Sequence, residues 1–150
     1  MKYLKILLIA LCVLLVSCDF ALWNHDYIEF HNACDSTIYV QFNIENNPLY
    51  YYEYYMDKYC VKIESTHTIT LSPRFMSGWE GFIASLPSKT VTFFISDTML
   101  YKCDSSNVET HILQRYYLTQ KNLDNLGWTI SYPPDERMKD IKMDPPYGNE

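Results

Sequence analysis

Basic charge, glycine and long apolar runs are all scarce in this chain, and each shortage excludes something. Lys and Arg number 12 in 150 residues against 18 Asp and Glu, giving a net charge of −6, and the basic residues form no cluster. Phosphate contacts require a basic footprint, so nucleic acid is excluded as a partner. Only four glycines are present, and no P-loop, G-x-S-x-G elbow or H-E-x-x-H helix motif occurs, which removes the usual sequence contexts for phosphate cradling, acyl transfer and zinc hydrolysis. No CxxC pair occurs, and His25, His31, His67 and His111 do not fall at metal-ligand spacing from cysteine or carboxylate; the three-residue offset of His31 and Cys34 turns the two side chains apart on an extended chain. No metal and no cofactor is expected. Apolar residues are not scarce: at 48%, with 16% aromatic, there is enough to build a core, and 150 residues suit one domain.

The N-terminus carries the clearest signal. Lys2 and Lys5 precede eleven consecutive apolar residues, Ile6 to Val16, the length of a secretory signal's apolar region and well short of the ~20 residues that span a bilayer. The run closes on Leu15-Val16-Ser17-Cys18, which resembles a bacterial lipobox. Small residues before the cut admit a peptidase, and the Cys18 thiol accepts the lipid. The expected plan is a signal peptide at 1–17, lipidated Cys18, a tether at 18–26, one β-rich domain at 27–132 and a flexible tail at 133–150. Each buried methylene contributes roughly 0.8 kcal/mol, so two or three acyl chains hold a protein at a membrane without a spanning helix. The expected location is the cell envelope, on its periplasmic or surface side. Loss of 1–17 leaves 10 basic against 18 acidic residues, a balance of −8, which favours a domain held off anionic lipid.

Beyond Cys18 the mature chain holds Cys34, Cys60 and Cys103. Outside the cytoplasm these allow one disulfide in three pairings, or none in a reducing habitat.

The body reads as mainly β, a small antiparallel sandwich or curled sheet with one or two short helices near the C-terminus. In STIYVQFNI the residues Ile38, Val40, Phe42 and Ile44 alternate with polar or amphipathic neighbours, as in a half-buried strand. Ile28 and Phe30 share a face just before, and Asn32 to Asp35 supplies turn residues that would join the two as a hairpin. THTITL, TVTFFIS, LQRYYL and WTISYP are further strands. Ser106 to Glu109 has capping-box spacing for one or two helical turns. A second helix starts with Thr119 as N-cap and Leu118 and Leu123 at staple positions, and ends at Gly127. After Tyr132, four prolines and eight charged residues leave little to bury, and a flexible tail is expected.

ILQRYYLTQKNLDNLGWTISYP resembles a C-terminal signature of small uncharacterised lipoproteins of the Bacteroidetes: a strand ending RY-x-L-T, a short capped helix, then L-x-W-T-x-x-YP. FHNACDSTIYV resembles the same group's first strand pair. The resemblance implies compartment and β-rich fold, and it brings no catalytic residue. Asp35-Ser36-Thr37 and Asp97-Thr98-Met99 are similar to the O-glycosylation acceptor of exported proteins in that phylum, which makes Ser36 and Thr98 candidate glycan sites; Asp before Ser or Thr also caps turns unaided.

One stretch reads as a binding surface. Tyr50, Tyr51, Tyr52, Tyr54, Tyr55 and Tyr59 crowd ten residues, and adjacent tyrosines must place rings on both faces of any strand. Such rings suit sugar stacking or protein contact. The segment from Pro73 to Pro87 reads as a long loop adding Phe75, Trp79 and Phe82; these aromatics could equally pack an irregular rim. Glu53 and Asp57 flank the tyrosines as solvated charges or, in the alternative, as a glycosidase pair, which needs carboxyls about 5–10 Å apart. The expected function is a lipid-anchored, non-catalytic binding or accessory module with an envelope protein or glycan as partner. A small envelope glycan hydrolase and a purely structural envelope component are the alternatives.

Overall fold

The computed structural model describes residues 25–43, 60–73, 78–100 and 107–149. Among these residues eight strands form two sheets: β1 (Ile28–Asn32), β2 (Ile38–Asn43), β3 (Cys60–Ile63), β4 (Thr68–Leu71), β5 (Thr90–Ser96), β6 (Ile112–Thr119), β7 (Thr129–Tyr132) and β8 (Lys142–Asp144). The smaller sheet has the order β4-β1-β7 and the larger β3-β2-β5-β6-β8. Among the described residues two α-helices, α1 (Gly78–Ser85) and α2 (Gln120–Leu126), accompany them, with single 3-10 turns at Val108–His111 and Glu136–Met138. The protein is mainly β, and neither sheet closes into a barrel.

Alternation places the core. Ile28 and Phe30 of β1, with Ile130 of β7, face Ile38, Val40 and Phe42 of β2, Val91, Phe93 and Ile95 of β5, and Tyr116 and Leu118 of β6, all buried in one cluster. Phe30, Phe42, Trp79, Phe82 and Phe93 meet at ring separations from 4.9 to 6.4 Å, mostly tilted or edge-on, a geometry that adds about 0.5–1.5 kcal/mol per pair beyond area burial. The Tyr116 hydroxyl crosses the core and donates to the Ser131 carbonyl at 3.0 Å, tying the sheets together. The far side of β5 is also covered: Phe94 packs with Leu100, Val108 and Ile112 in a second, smaller cluster. Hence every residue from Val91 to Ser96 is buried.

Several expectations need correction. β1 and β2 are not a hairpin: β1 pairs with β4 and β7, whereas β2 pairs with β3 and β5. The chain crosses between sheets because Asn32, fully buried, spends its side chain on the corner. Its Nδ2 donates to the carbonyls of Ser36, Ile63 and Glu64, and its Oδ1 accepts from the Cys34 main-chain N–H at 3.1 Å. The smaller sheet is also not purely antiparallel, since β1 and β7 run parallel.

The segment expected as a loop between Pro73 and Pro87 contains α1. Trp79, Phe82, Ile83 and Leu86 repeat at helical spacing and are all buried, which outweighs the glycines at 78 and 81. The one or two helical turns expected after Ser106 come as a single 3-10 turn whose N-cap, Asn107, makes no side-chain cap bond, and Ser106 itself lies outside the described residues.

The expected flexible tail is part of the sheet. β8 pairs antiparallel with β6, Met143 opposite Tyr116, and Met138, Ile141 and Met143 are buried. Gln114 Nε2 donates to the Pro145 carbonyl at 2.6 Å. The many charges of this segment lie on the outward side, so composition alone misjudged it. α2 follows its expected signals: Thr119 and Asn122 form a reciprocal capping box, and Gly127 ends the helix in the left-handed region at φ 63°.

Candidate functional site

Strand register divides the domain into two ends. At one end lie the start of β1, the end of β2, the start of β3, the start of β5 and the α2–β7 junction. At the other lie the Asn32 corner, the β3–β4 turn, the end of β5 and the end of β7. Tyr39 of β2 opposite Ser96 of β5 fixes this second end, and Asn43 opposite Thr92 the first.

The first end carries a shallow depression of about 360 Å³ lined by His25, Asp26, Tyr27, Glu29, Gly127 and Trp128. Its floor is built by consecutive left-handed residues: Gly127 at φ 63° and Trp128 at φ 59° turn the chain so that the indole lies under His25. The two rings stack at 4.0 Å, 11° from parallel. Glu80, in the first turn of α1, accepts from the His25 main-chain N–H through both oxygens, at 3.0 and 2.8 Å, and its Oε1 meets the His25 ring Nδ1 at 2.6 Å. The His25 carbonyl in turn accepts from Trp79 N at 2.9 Å. Tyr27 stands out at 56% exposure beside the exposed carboxylates of Asp26 and Glu29. An exposed phenol between carboxylates can stack on the C–H face of a sugar ring and accept from its hydroxyls.

A second depression of about 380 Å³, on the outward side of the larger sheet, is lined by Ser88, Thr90, Tyr117, Thr119, Asn122, Asp140 and Lys142. Much of its polarity is spent locally. Ser88 and Thr90 bond one another, Thr119 and Asn122 cap α2, and Lys142 lies over the Tyr117 ring at 4.9 Å. The first depression therefore offers the more available chemistry.

Trp79, expected among the surface aromatics, is fully buried, and its Nε1 donates to the Leu71 carbonyl at 3.0 Å. An indole that satisfies its one donor inside the core has no face left for a surface ligand, so Trp79 is withdrawn from the candidate surface. Tyr50, Tyr51, Tyr52, Tyr54, Tyr55 and Tyr59, together with Glu53, Asp57 and Phe75, lie outside the described residues, as do Cys18 and the signal segment. Ser36 is exposed beside the Asn32 corner and Thr98 is half-buried in the turn after β5, so both candidate glycan positions fall at the second end. Cys34 takes part in no disulfide; its thiol sits 2.8 Å from Asn32 Oδ1. Among the described residues no group of three or more His, Cys, Asp or Glu could hold a metal ion.

Sequence reasoning missed the grip on His25, because its partners Glu80 and Trp128 are far along the chain and nothing local marks them. It also missed Asp135, whose carboxylate accepts from Ser131 Oγ at 3.0 Å and from the Arg137 main-chain N–H at 2.9 Å. The Arg137 guanidinium beside it, helped by these donors and opposed by partial burial, holds the Asp135 carboxyl below its ordinary value.

No protein family, curated protein or solved structure matches the chain.

Proposed function

We propose that this protein is a lipid-anchored binding or accessory module of a bacterial cell envelope, fixed through Cys18 and without catalytic activity of its own. The observation that carries the reading is the Leu15-Val16-Ser17-Cys18 sequence directly behind eleven apolar residues. Two features of the folded domain support it. No described helix is long and apolar enough to cross a membrane, which is compatible with attachment through a lipid. The domain's first described residue, His25, is gripped only seven positions after Cys18, which suits a short tether on a folded body.

The partner is an envelope protein or glycan, met by aromatic side chains. Tyr27 and its flanking carboxylates supply part of that surface. Asn43 and Cys60, between which the tyrosine-rich sequence runs, both belong to this same end of the domain through β2 and β3. Ser36 and Thr98 are proposed O-glycan acceptors.

Mass spectrometry of the native, detergent-extracted protein tests the anchor and the glycans together. The expected result is an acylated N-terminal Cys18 with residues 1–17 gone and added hexose mass on the peptides holding Ser36 and Thr98. An unmodified Cys18 overturns the anchor. Binding is tested by titrating envelope glycan fragments into the wild type and a Tyr51→Ala/Tyr55→Ala variant; turnover of the fragments would replace the binding reading with a hydrolase.

A further inference from the structure

The two sheets differ in what lies on the side turned away from the core. On the larger sheet that side is covered at its middle: Gln41, Thr92, Phe94 and Ser96, which alternate with core residues of β2 and β5, are at most 4% exposed. On the smaller sheet it is open. β1 is the central strand, with Ile28 and Phe30 turned into the core, so Tyr27 just before it, and Glu29 and His31 within it, turn outward. Register sets Thr70 of β4 and Thr129 of β7 beside Glu29, and Thr68 and Ser131 beside His31. Tyr27, Glu29, Thr68 and Thr70 are exposed, and His31 and Thr129 are half-buried. Of this set only Ser131 is buried, its Oγ donating to Asp135 at 3.0 Å. The open area runs about 13 Å along β1 and about 10 Å across the three strands, and it continues into the depression at Tyr27.

The chemistry of this face is narrow. None of its outward side chains is aliphatic, and the three strands hold no lysine or arginine. A protein partner needs a desolvated apolar centre to anchor on, which this face lacks. An anionic partner needs cations, whereas the charges here are Glu29 and, beside Tyr27, Asp26. What the face offers is hydroxyls, a carboxylate, an imidazole and a phenol. The side chains of Tyr27, Glu29 and Thr70 make no hydrogen bond or ion pair to another described residue, so their polar atoms are at a ligand's disposal. His31 Nδ1 meets Thr68 Oγ1 at 2.9 Å, which orients the imidazole and leaves Nε2 for a ligand. We infer that this face binds an uncharged, linear glycan laid along β1. Glu29 accepts from its ring hydroxyls, the threonine hydroxyls and His31 donate and accept on either side, and Tyr27 stacks on the C–H face of a sugar at one end of the run. The choice of glycan over protein rests on the binding reading above and is independent of the lipid anchor.

The test titrates chitohexaose, cellohexaose and mannohexaose, with hexagalacturonate as the anionic comparison, into the acylated full-length protein in a detergent without a sugar headgroup, read by backbone amide shifts. At least one neutral probe is expected to give saturable shifts centred on Glu29, His31, Thr70 and Thr129, and hexagalacturonate none. Tyr27→Ala and Glu29→Gln are each expected to weaken that binding about three- to tenfold, with the amides of Phe93 and Tyr116 in place as a check on the fold. Glu29→Gln is also expected to narrow the gap between neutral and anionic probes, which loss of a merely structural side chain would not do. Equal binding of hexagalacturonate to the wild type overturns the selection for uncharged sugar. Shifts that lie elsewhere, or binding lost in Tyr51→Ala/Tyr55→Ala but kept in Tyr27→Ala, overturn the assignment to this face while the binding module stands. No shift from any probe removes glycan as the partner of face and module alike, and leaves protein as the partner of the module.

Discussion

Asn32 shows how one polar side chain can decide a connection. It is fully buried where β1 leaves its sheet, and it serves three carbonyls, one main-chain N–H and the Cys34 thiol. Buried carbonyls deprived of a donor each cost about 1–3 kcal/mol, so Asn32→Ala is expected to lower stability by about 2–4 kcal/mol, read as a lower urea midpoint at unchanged slope. An unchanged midpoint would show that the corner is held by its main chain alone. Asp135 makes a different contribution, one that depends on pH. Its carboxyl titrates below the ordinary 3.8 because of Arg137 first, then Ser131 and the Arg137 main-chain N–H. A depressed carboxylate stabilises the fold at pH above the ordinary value and loses that contribution as pH falls through the depressed one. Its side chain is 36% exposed, so solvent screening keeps the effect small. Denaturation midpoints of the wild type and Asp135→Asn are expected to differ at pH 7 and to converge as the pH falls below the ordinary carboxylate range and through the depressed value; a constant gap across that range would refute the assignment.

Among the elements, α2 and β8 make an instructive pair. α2 is short and legible: Thr119, Asn122 and Gly127 are local signals whose physics acts within one helical turn. β8 is equally short and was hidden. Its three residues present a single buried side chain, Met143, between exposed Lys142 and Asp144, a pattern that carries no periodicity and is swamped by the charges around it. What makes it a strand is the exposed edge of β6, whose Arg115 pairs with Asp144 at 3.0 Å and whose Gln114 reaches the Pro145 carbonyl. The same contrast separates β5, whose alternation is plain, from α1, where glycine and proline argued for a loop although Trp79, Phe82, Ile83 and Leu86 were already spaced as a helix. Truncation after Met138 is expected to lower stability by about 3–6 kcal/mol, from the exposure of the sites of Ile141 and Met143 at about 1.5–3 kcal/mol each. It would also leave the β6 edge open to association. Equilibrium denaturation and light scattering of the truncated chain would check both; an unchanged midpoint would return residues 139–150 to the status of a dispensable tail.

At the scale of the whole molecule the chain is a two-sheet body with two unlike ends, proposed to be tied to lipid through Cys18. Replacing Cys18 by Ala is expected to move the protein from the membrane to the soluble fraction on cell fractionation, with the thermal midpoint of the domain unchanged, because the grip on His25 does not depend on the anchor. A protein that stays with the membrane would point to attachment by other means. The sequence by itself determined the β class, most of the strands and the capped helix. All of these rest on interactions between residues near each other in the chain: alternation on one strand, a cap within one turn. Only the tertiary structure decided which strands share a sheet, that Trp79 belongs to the core, that the charged C-terminal segment is a strand, and that His25 is held by Glu80 and Trp128. Each of those depends on a partner distant in sequence, and the free energy of such a contact exists only once the intervening chain has folded to bring the two together.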